Sequence, residues 1–421
     1  MNTTQAKKET SIIIGIDNGK DDIEKSLDEL ALLAKTAGIT VDARLTQRRD
    51  APNNATYIGK GKIDELKDLI YLHNPNIVIF NEELSAAQLR NLSDKLDDIL
   101  VIDRTLLILD IFATSAKSSE GKIQVELAQL KYRLSHLSGM GKMLSRLGGG
   151  IGTRGPGETK LETDRRHIRG RINSLNAELK NISKTYNNMR KQRERSGVFL
   201  VALVGYTNAG KSSIMNLLAN ENLLAQDKLF ATLDTTTRKM TLSSGKDILI
   251  SDTVGFIEKL PYHLIEAFKT TLEELKYADI LLHITDAADP ARENHVSTVM
   301  QILNEIGCKD KPMILIYNKV DKEVEYPLLN HADAMHTLEF SAKTGYGKDK
   351  LLHTIDEIIK DQKHHIHVII PYSEQAIINF IHQKADILSQ NHDEDGTHFE
   401  LMVDDEGKNK LAKYVASNLR I

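Results

Sequence analysis

Near the middle of the chain, Gly205-Tyr206-Thr207-Asn208-Ala209-Gly210-Lys211-Ser212 has the types and spacing of G-x-x-x-x-G-K-S. Glycines let backbone N–H groups curl around phosphate oxygens, the lysine reaches the β- and γ-phosphates, and the serine hydroxyl ligates Mg²⁺. The motif requires a strand before it and a helix after it. Val198–Val204 is an apolar, β-branched-rich run that predicts a buried strand, and Ser213–Asn222 predicts a helix whose N-terminus adds partial positive charge. Ile248–Ser251 predicts a second strand, leading into Asp252-Thr253-Val254-Gly255. Asp252 is expected to hold Mg²⁺ through water, and the Gly255 N–H to sense the γ-phosphate. Met313–Tyr317 predicts a third strand, ending in Asn318-Lys319-Val320-Asp321. A carboxylate here can accept from guanine N1–H and the 2-amino group. Adenine offers neither donor, and an unpaired buried acceptor costs ~1–3 kcal/mol. Asn318 and Lys319 would brace the phosphate loop and the base plane. After the predicted strand His336–Phe340, Ser341-Ala342-Lys343 would bring backbone to guanine O6. Each motif follows a strand, the end at which doubly wound sheets bind ligands. Between the first two lies Phe230-Ala231-Thr232-Leu233-Asp234-Thr235-Thr236-Thr237-Arg238, with four threonines that could meet Mg²⁺ and the γ-phosphate; spacing alone does not choose among them.

The elements positioning these residues occupy part of a 421-residue chain, long enough for about three domains. With 41% hydrophobic and 27% charged residues the composition is that of a globular protein, and one cysteine, Cys308, rules out an internal disulfide framework. The longest uncharged, mainly apolar run, Val198–Gly210, is short of the ~20 residues a membrane-spanning helix needs, and no signal peptide is expected. Ser11–Lys117 alternates predicted strands (Ser11–Ile16, Thr40–Leu45, Asn76–Phe80, Ile99–Ile102) with predicted helices (Asp21–Thr36, Lys62–His73, Ser85–Asp97, Arg104–Ser115), which implies a mostly parallel sheet. Gly59-Lys60-Gly61-Lys62 opens one of these helices. It lacks the spacing and Ser/Thr of a phosphate loop and reads as a tight turn.

Net charge is −4, but residues 142–195 carry fourteen Lys or Arg against five Asp or Glu, leaving −13 for the rest. A basic element on an acidic body directs a polyanion to one surface. Within Lys122–Arg195, Leu127, Leu130, Leu134 and Leu137, and then Ile168, Ile172, Leu175, Leu179, Ile182, Tyr186 and Met189, follow the three- and four-residue steps of two helical seams. An antiparallel hairpin within a monomer is the simplest pairing; an intermolecular coiled coil is the alternative. The loop between them, Leu147–Thr159, has six glycines in thirteen residues, flanked by Arg146, Arg154 and Lys160. Such a backbone does not pack, and its basic flank suits folded RNA; a hinge is the plainer reading. His364–Ile421 predicts a β-α-β-α unit (His367–Ile370, Ser373–Leu388, Thr397–Val403, Lys408–Leu419), with His364, His365 and His367 as surface residues rather than metal ligands.

These stretches together resemble the HflX family of ribosome-associated GTPases. The resemblance rests on Gln47-Arg48-Arg49-Asp50 with Ala55-Thr56-Tyr57-Ile58-Gly59-Lys60-Gly61-Lys62, on Gln124-Val125-Glu126-Leu127-Ala128-Gln129-Leu130, on Ser145–Arg166 with its glycine loop, and on the Tyr206-Thr207-Asn208 phosphate loop with its Phe-Ala-Thr-Leu-Asp switch. It implies an α/β chain in four units: an N-terminal α/β domain (1–117), a helical hairpin (118–195), a P-loop G domain (196–362) and a small α/β C-terminal domain (363–421). It implies that Thr232 is the Mg²⁺-linked switch threonine, so Lys211, Thr232 and Gly255 would act on the reacting phosphate. Ser212, Thr232 and Asp252 would hold Mg²⁺. Phe230, Ala231 and Leu233 would border GTP or GDP, and Ser213, where threonine is commoner in the family, would still do so. Thr235 stands where the family usually has proline, which would loosen the switch. The implied partner is the large ribosomal subunit and its RNA. The implied action is GTP-driven separation of stalled or hibernating ribosomes under stress, in the cytoplasm, with a peripheral membrane association left open. ATP use by the N-terminal domain is implied too. The alternative readings are a GTPase of ribosome assembly or RNA modification and a membrane or signalling GTPase. No cofactor motif of a modifying enzyme and no lipidation motif favours either. Finally, Phe256 occupies the position of the water-orienting glutamine of Ras-like enzymes. A phenyl ring cannot polarise water, so hydrolysis should be slow alone. A backbone group, an activating K⁺ (with Asn208 as a ligand) or the ribosome are the sources of help left open.

Overall fold

The triplet Ile12-Ile13-Ile14 does not alternate between apolar and polar, so a strand built on it must be covered on both faces. In the computed structural model, all three are fully buried in the central part of a four-stranded parallel sheet. The model describes residues 9–19, 22–97, 99–137, 160–219, 229–230, 236–257, 274–325, 327–361, 364–403 and 405–415. The first sheet has strands β1 (Glu9–Asp17), β2 (Ile39–Arg48), β3 (Ile77–Phe80) and β4 (Leu100–Asp103), in the order β2-β1-β3-β4. Helices α1 (Ile23–Thr36), α2 (Lys60–His73), α3 (Ala86–Lys95) and α4 (Arg104–Ser115) connect and follow them. Helix starts carry local signals: Asp22 accepts from Lys25 N–H, Ser85 and Gln88 form a capping box, and Asp103 accepts from Leu106 N–H. The Gly59–Lys62 stretch, expected as a tight turn, is instead the start of α2: Gly59 is its N-cap, donating its N–H to Gln47 Oε1 at 2.8 Å, and Lys60–Lys62 form the first helical turn.

Helices α5 (Ser119–His136) and α6 (Lys160–Ser196) pack along the expected seam, burying Leu127 against Leu175 and Leu179. A bidentate pair from Arg171 to Glu126, at 2.7 and 2.9 Å, fixes their register. The base of α5 is tied to the first sheet by Tyr132, whose hydroxyl donates to the buried Asp103 carboxylate at 2.8 Å. Lys160 opens α6; Arg146, Arg154 and the glycine loop lie outside the described residues.

A second sheet of six strands runs β10-β9-β8-β5-β7-β6. Its members are β5 (Phe199–Gly205), β6 (Thr236–Thr241), β7 (Asp247–Asp252), β8 (Ile280–Asp286), β9 (Met313–Asn318) and β10 (His336–Glu339). All are parallel except β6, which pairs antiparallel with β7 at one edge. Helices α7 (Lys211–Leu218), α8 (Arg292–Glu305) and α9 (Lys348–Asp361) accompany it. In-register pairing sets the strand ends level, with Leu203 opposite Asp252, Gly205 opposite Ile284, and Asp286 opposite Asn318.

The C-terminal sheet corrects one expectation. Helix α10 (Gln375–Lys384) stops before Asp386, and Asp386–His392, predicted in part as helix, forms the antiparallel strand β12. It pairs with β13 (Thr397–Val403), which also pairs with β11 (His364–Ile370). Strand β12 is an exposed, mostly polar edge with a bulge near Leu388, so no alternation marks it; only its ladder to β13 defines it. The last helix, α11 (Asp405–Leu411), starts before the expected Lys408 and gives way to a 3₁₀ turn, Ala412–Tyr414; the expected end of that helix, 416–419, lies outside the described residues. Among the described residues no helix is long and apolar enough to cross a membrane.

Candidate nucleotide site

The loop between β5 and α7 needs two backbone conformations that L side chains rarely adopt. Gly205 has φ +151°, and a Cβ there would lie 2.2 Å from the Ile284 carbonyl oxygen. Gly210 has φ +99°, and its Cβ would meet Asn318 Nδ2 at 2.2 Å. Both glycines are thus demanded by close approach as well as by backbone angle. The turn ends at the N-terminus of α7, with Lys211 and Ser212 in its first turn.

Lys211 is buried, and its Nζ donates to the carbonyls of Gly205 (3.0 Å) and Tyr206 (2.8 Å). Burial disfavours its charge and brings its pKa down to about 8, against a partly compensating pull from Asp252. Ser212 Oγ donates to Asp252 Oδ2 at 2.7 Å, while Asp252 Oδ1 accepts the Thr253 N–H. Gly255 closes over this group: a Cβ there would fall 2.9 Å from both Lys211 Nζ and Thr207 Cγ2. The next residue, Phe256, forms a backbone bridge to the loop. Its N–H donates to Gly205 O (3.1 Å), and its carbonyl accepts from Thr207 N–H (2.7 Å). Its ring is buried with Leu200, Ala202 and Val204, an apolar anchor rather than a group facing a reacting water.

Asn318, at the end of β9, links three segments. Its Nδ2 donates to Ala209 O at 2.9 Å, and its Oδ1 accepts from Ala342 N–H at 3.0 Å. Lys319, at φ +67°, spans Asn208 O (2.8 Å) and the Asp286 carboxylate (2.7 Å). Asp321 accepts from Ser341 Oγ at 2.6 Å, and this bond first, with Lys343 4.0 Å away as a lesser cause, holds its carboxyl below the usual range. The structure therefore brings together Gly205–Ser213, Asp252–Gly255, Asn318, Lys319, Asp321 and Ser341–Lys343 at one end of the second sheet. Ala231, Thr232 and Leu233 lie outside the described residues. Phe230 is described, buried at φ +54°, with its ring edge-on to Phe112 at 4.6 Å. Leu229, Phe230, Tyr206, Val254 and Ile257 all belong to the apolar cluster of the first sheet.

Two contributors escape sequence reading. Asp286 anchors Lys319; its place at the end of an apolar strand in the nucleotide sheet is the signal that could have found it. His295 stacks on the Tyr206 ring at 3.7 Å and 11°, and nothing local marks it. The arrangement combines a cationic phosphate cradle, paired hard-oxygen donors and a fixed carboxylate for a purine edge. It suits binding and hydrolysis of a guanosine triphosphate.

Comparison with known proteins agrees. Three family models match successive parts of the chain: GTP-binding GTPase N-terminal over residues 24–113, GTP-binding GTPase Middle Region over 115–193, and 50S ribosome-binding GTPase over 200–319. The chain is 48% identical to the GTPase HflX of Lacrimispora saccharolytica, over 92% of each protein. It is 45% identical to the GTPase HflX of Caldanaerobacter subterraneus subsp. tengcongensis, over 97% of this chain and 94% of that one. Among solved structures it is similar to a GTP-binding protein from Sulfolobus solfataricus in complex with GDP, at 24% identity and TM-score 0.45, over 84% of this chain and 99% of that one.

Proposed function

This chain belongs to the HflX family of GTPases, and from that premise we propose that it binds the large ribosomal subunit and uses GTP to separate the subunits of stalled or hibernating ribosomes. The observation that carries the nucleotide half is the convergence of Lys211, the Ser212–Asp252 pair, Asn318 and the Asp321–Ser341 pair at one strand edge. The ribosomal half is supported by the match to a 50S ribosome-binding GTPase model and by the basic hairpin with its glycine loop. The reading divides the chain into the four units 1–117, 118–195, 196–362 and 363–421.

In this reading the Lys211 ammonium leaves the loop carbonyls for the β- and γ-phosphates and meets the charge that moves onto the leaving oxygens. The Gly255 N–H donates to the γ-phosphate. Asp321, already oriented by Ser341, accepts from guanine N1–H and the 2-amino group, and the Ala342 backbone lies toward O6. The Ser212 hydroxyl and Asp252 carboxylate, hard oxygen donors 2.7 Å apart, fit a Mg²⁺ ion. Ser212 would ligate it directly, Asp252 through water, with Thr232 joining in the triphosphate state. When bound, the ion neutralises phosphate charge. Phe256 offers no polar group to a water, so turnover is slow until the ribosome, or K⁺ at Asn208, completes the site. ATP use would engage Gly59–Lys62 at the start of α2, and competition by excess ATP against GTP turnover tests it.

The deciding experiment is co-sedimentation with ribosomes and separated subunits in GTP, GDP and a non-hydrolysable analogue, with turnover measured in parallel. Large subunits should retain the protein in the triphosphate state and stimulate hydrolysis more than small subunits. Neutralising Arg146, Arg154 and Lys160 together should flatten the salt dependence of that retention and leave GTP affinity unchanged. Retention of the triple variant at wild-type levels across a salt series would make the glycine loop a hinge.

A further inference from the structure

In an open parallel sheet, a ligand sits beyond the carboxyl ends of the strands where the strand order reverses. In the N-terminal sheet, ordered β2-β1-β3-β4, that place lies between β1 and β3. It is lined by residues that follow those strands. Asn81 Nδ2 donates to Ser26 Oγ at 2.8 Å, and Arg104 Nη1 donates to Asn81 Oδ1 at 3.2 Å. Arg104, almost fully buried, also pairs with Glu29 on α1. The group presented to this crevice comes from the nucleotide sheet: the hydroxyl of Tyr206, in the phosphate loop, donates to the second oxygen of Glu29. One face of the Tyr206 ring is stacked on His295.

We propose that Glu29, held by Arg104, is a positioning residue for GTP hydrolysis, acting through Tyr206. The inference rests on reading Gly205–Ser213 as the phosphate loop. Its physical basis is where Tyr206 sits. The Tyr206 carbonyl takes Lys211 Nζ, and the residues on either side, Gly205 and Thr207, carry both backbone bonds to Phe256, the neighbour of Gly255. Fixing the Tyr206 side chain from two sides therefore fixes the segment that orients Lys211 and Gly255 relative to each other. Gly255 meets the γ-phosphate and Lys211 spans it and the β-phosphate, whereas the base is held elsewhere, by Asp321 and its Ser341 partner. Loosening the clamp should lower the rate of the chemical step and spare affinity for the diphosphate. A shared apolar contact, with Phe230 against Phe112, keeps the two sheets together when one hydrogen bond is removed.

The test is single-turnover hydrolysis at saturating GTP in the full chain, normalised to nucleotide-binding sites, with a fluorescent GDP analogue for affinity. Tyr206→Phe removes one hydroxyl and keeps the ring on His295. Glu29→Ala removes the acceptor, and Glu29→Gln keeps one. Tyr206→Phe and Glu29→Ala should each slow turnover about fivefold, the size expected of lost preorganisation rather than lost chemistry. The double variant should be no slower than the worse single, Glu29→Gln should recover most of the rate, and GDP affinity should stay within about twofold. Because Glu29→Ala removes the carboxylate that pairs with the buried Arg104 and can compromise folding, Tyr206→Phe carries the decision. Wild-type or faster turnover by Tyr206→Phe overturns the proposal, as does a double-variant loss equal to the product of the singles. Lys211→Ala is run alongside. If it abolishes hydrolysis while Tyr206→Phe does not slow it, only the positioning role fails. If Lys211→Ala also hydrolyses normally, the phosphate-loop reading itself fails.

Discussion

Asn318 is the point at which three nucleotide segments are joined, and its amide makes a sharp prediction. The residue is 1% exposed, donates to Ala209 O at 2.9 Å and accepts from Ala342 N–H at 3.0 Å. Asn318→Ala leaves both backbone groups without these partners. Ala209 is buried, so its carbonyl bears most of the desolvation, while Ala342 is only partly covered. At ~1–3 kcal/mol for the buried group and about 1 for the other, the loss is about 2–4 kcal/mol. Spent on the ordering of the phosphate loop and the Ser341–Lys343 loop, that is a roughly 30- to 1,000-fold loss of guanine-nucleotide affinity. Asn318→Asp separates this account from simple loss of volume. The carboxylate still accepts from Ala342 N–H, but it sets an oxygen with no proton against the Ala209 carbonyl oxygen. The near-isosteric variant should therefore bind a fluorescent GDP analogue no better than the alanine variant. Titration of both, with circular dichroism to establish that each is folded, checks the ordering. An aspartate variant with affinity within threefold of wild type would refute the reasoning.

Three further outcomes follow from the same site. Burial holds Lys211 near 8 instead of its ordinary 10.5, so the fold favours the neutral amine and gains stability as pH rises from about 8 toward 10.5. Phosphate binding needs the charged form, so affinity for GDP should fall about tenfold between pH 7 and pH 9; a flat profile by titration calorimetry would contradict this. Asp321→Asn replaces one acceptor of the guanine edge by a donor, and should weaken GTP and strengthen xanthosine triphosphate in a competition assay, whereas unchanged GTP affinity removes Asp321 from the base site. Gly255→Ala forces a methyl to within 2.9 Å of Lys211 Nζ and 3.0 Å of Thr207 Cα. It should cut the hydrolysis rate at least about tenfold with GDP affinity nearly kept, as expected when an interaction specific to the reacting phosphate is lost, and wild-type turnover would show that this glycine is not needed there.

Much of this protein is written in local pattern. The predicted helix Arg104–Ser115 has the same bounds in the structure, because Asp103 caps it and its apolar run has no competing period. The nucleotide motifs are legible for a stronger reason. Phosphate cradling needs glycine where φ is positive or another backbone comes within 2.2 Å, and lysine and serine one residue apart at a helix start. Few other residue types satisfy those demands, so the physics narrows the choice at each position.

Other features have no such local mark. Strand β12 is a polar edge whose conformation depends on hydrogen bonds to β13, and β6 is likewise defined by its antiparallel ladder to β7. Phe230 reads as an apolar residue of a switch, yet it is buried in the core of the other sheet against Phe112. Tyr206 occupies a variable position of the phosphate motif, and its hydroxyl meets Glu29, 177 residues earlier. One hydroxyl and one carboxylate leave no periodicity, and a contact between them exists only once the two sheets have been packed together. The sequence by itself therefore determined the nucleotide chemistry and the elements that carry it. Tertiary structure decided which residues of the N-terminal part meet the phosphate loop, because only packing brings groups so distant in the chain to hydrogen-bond distance.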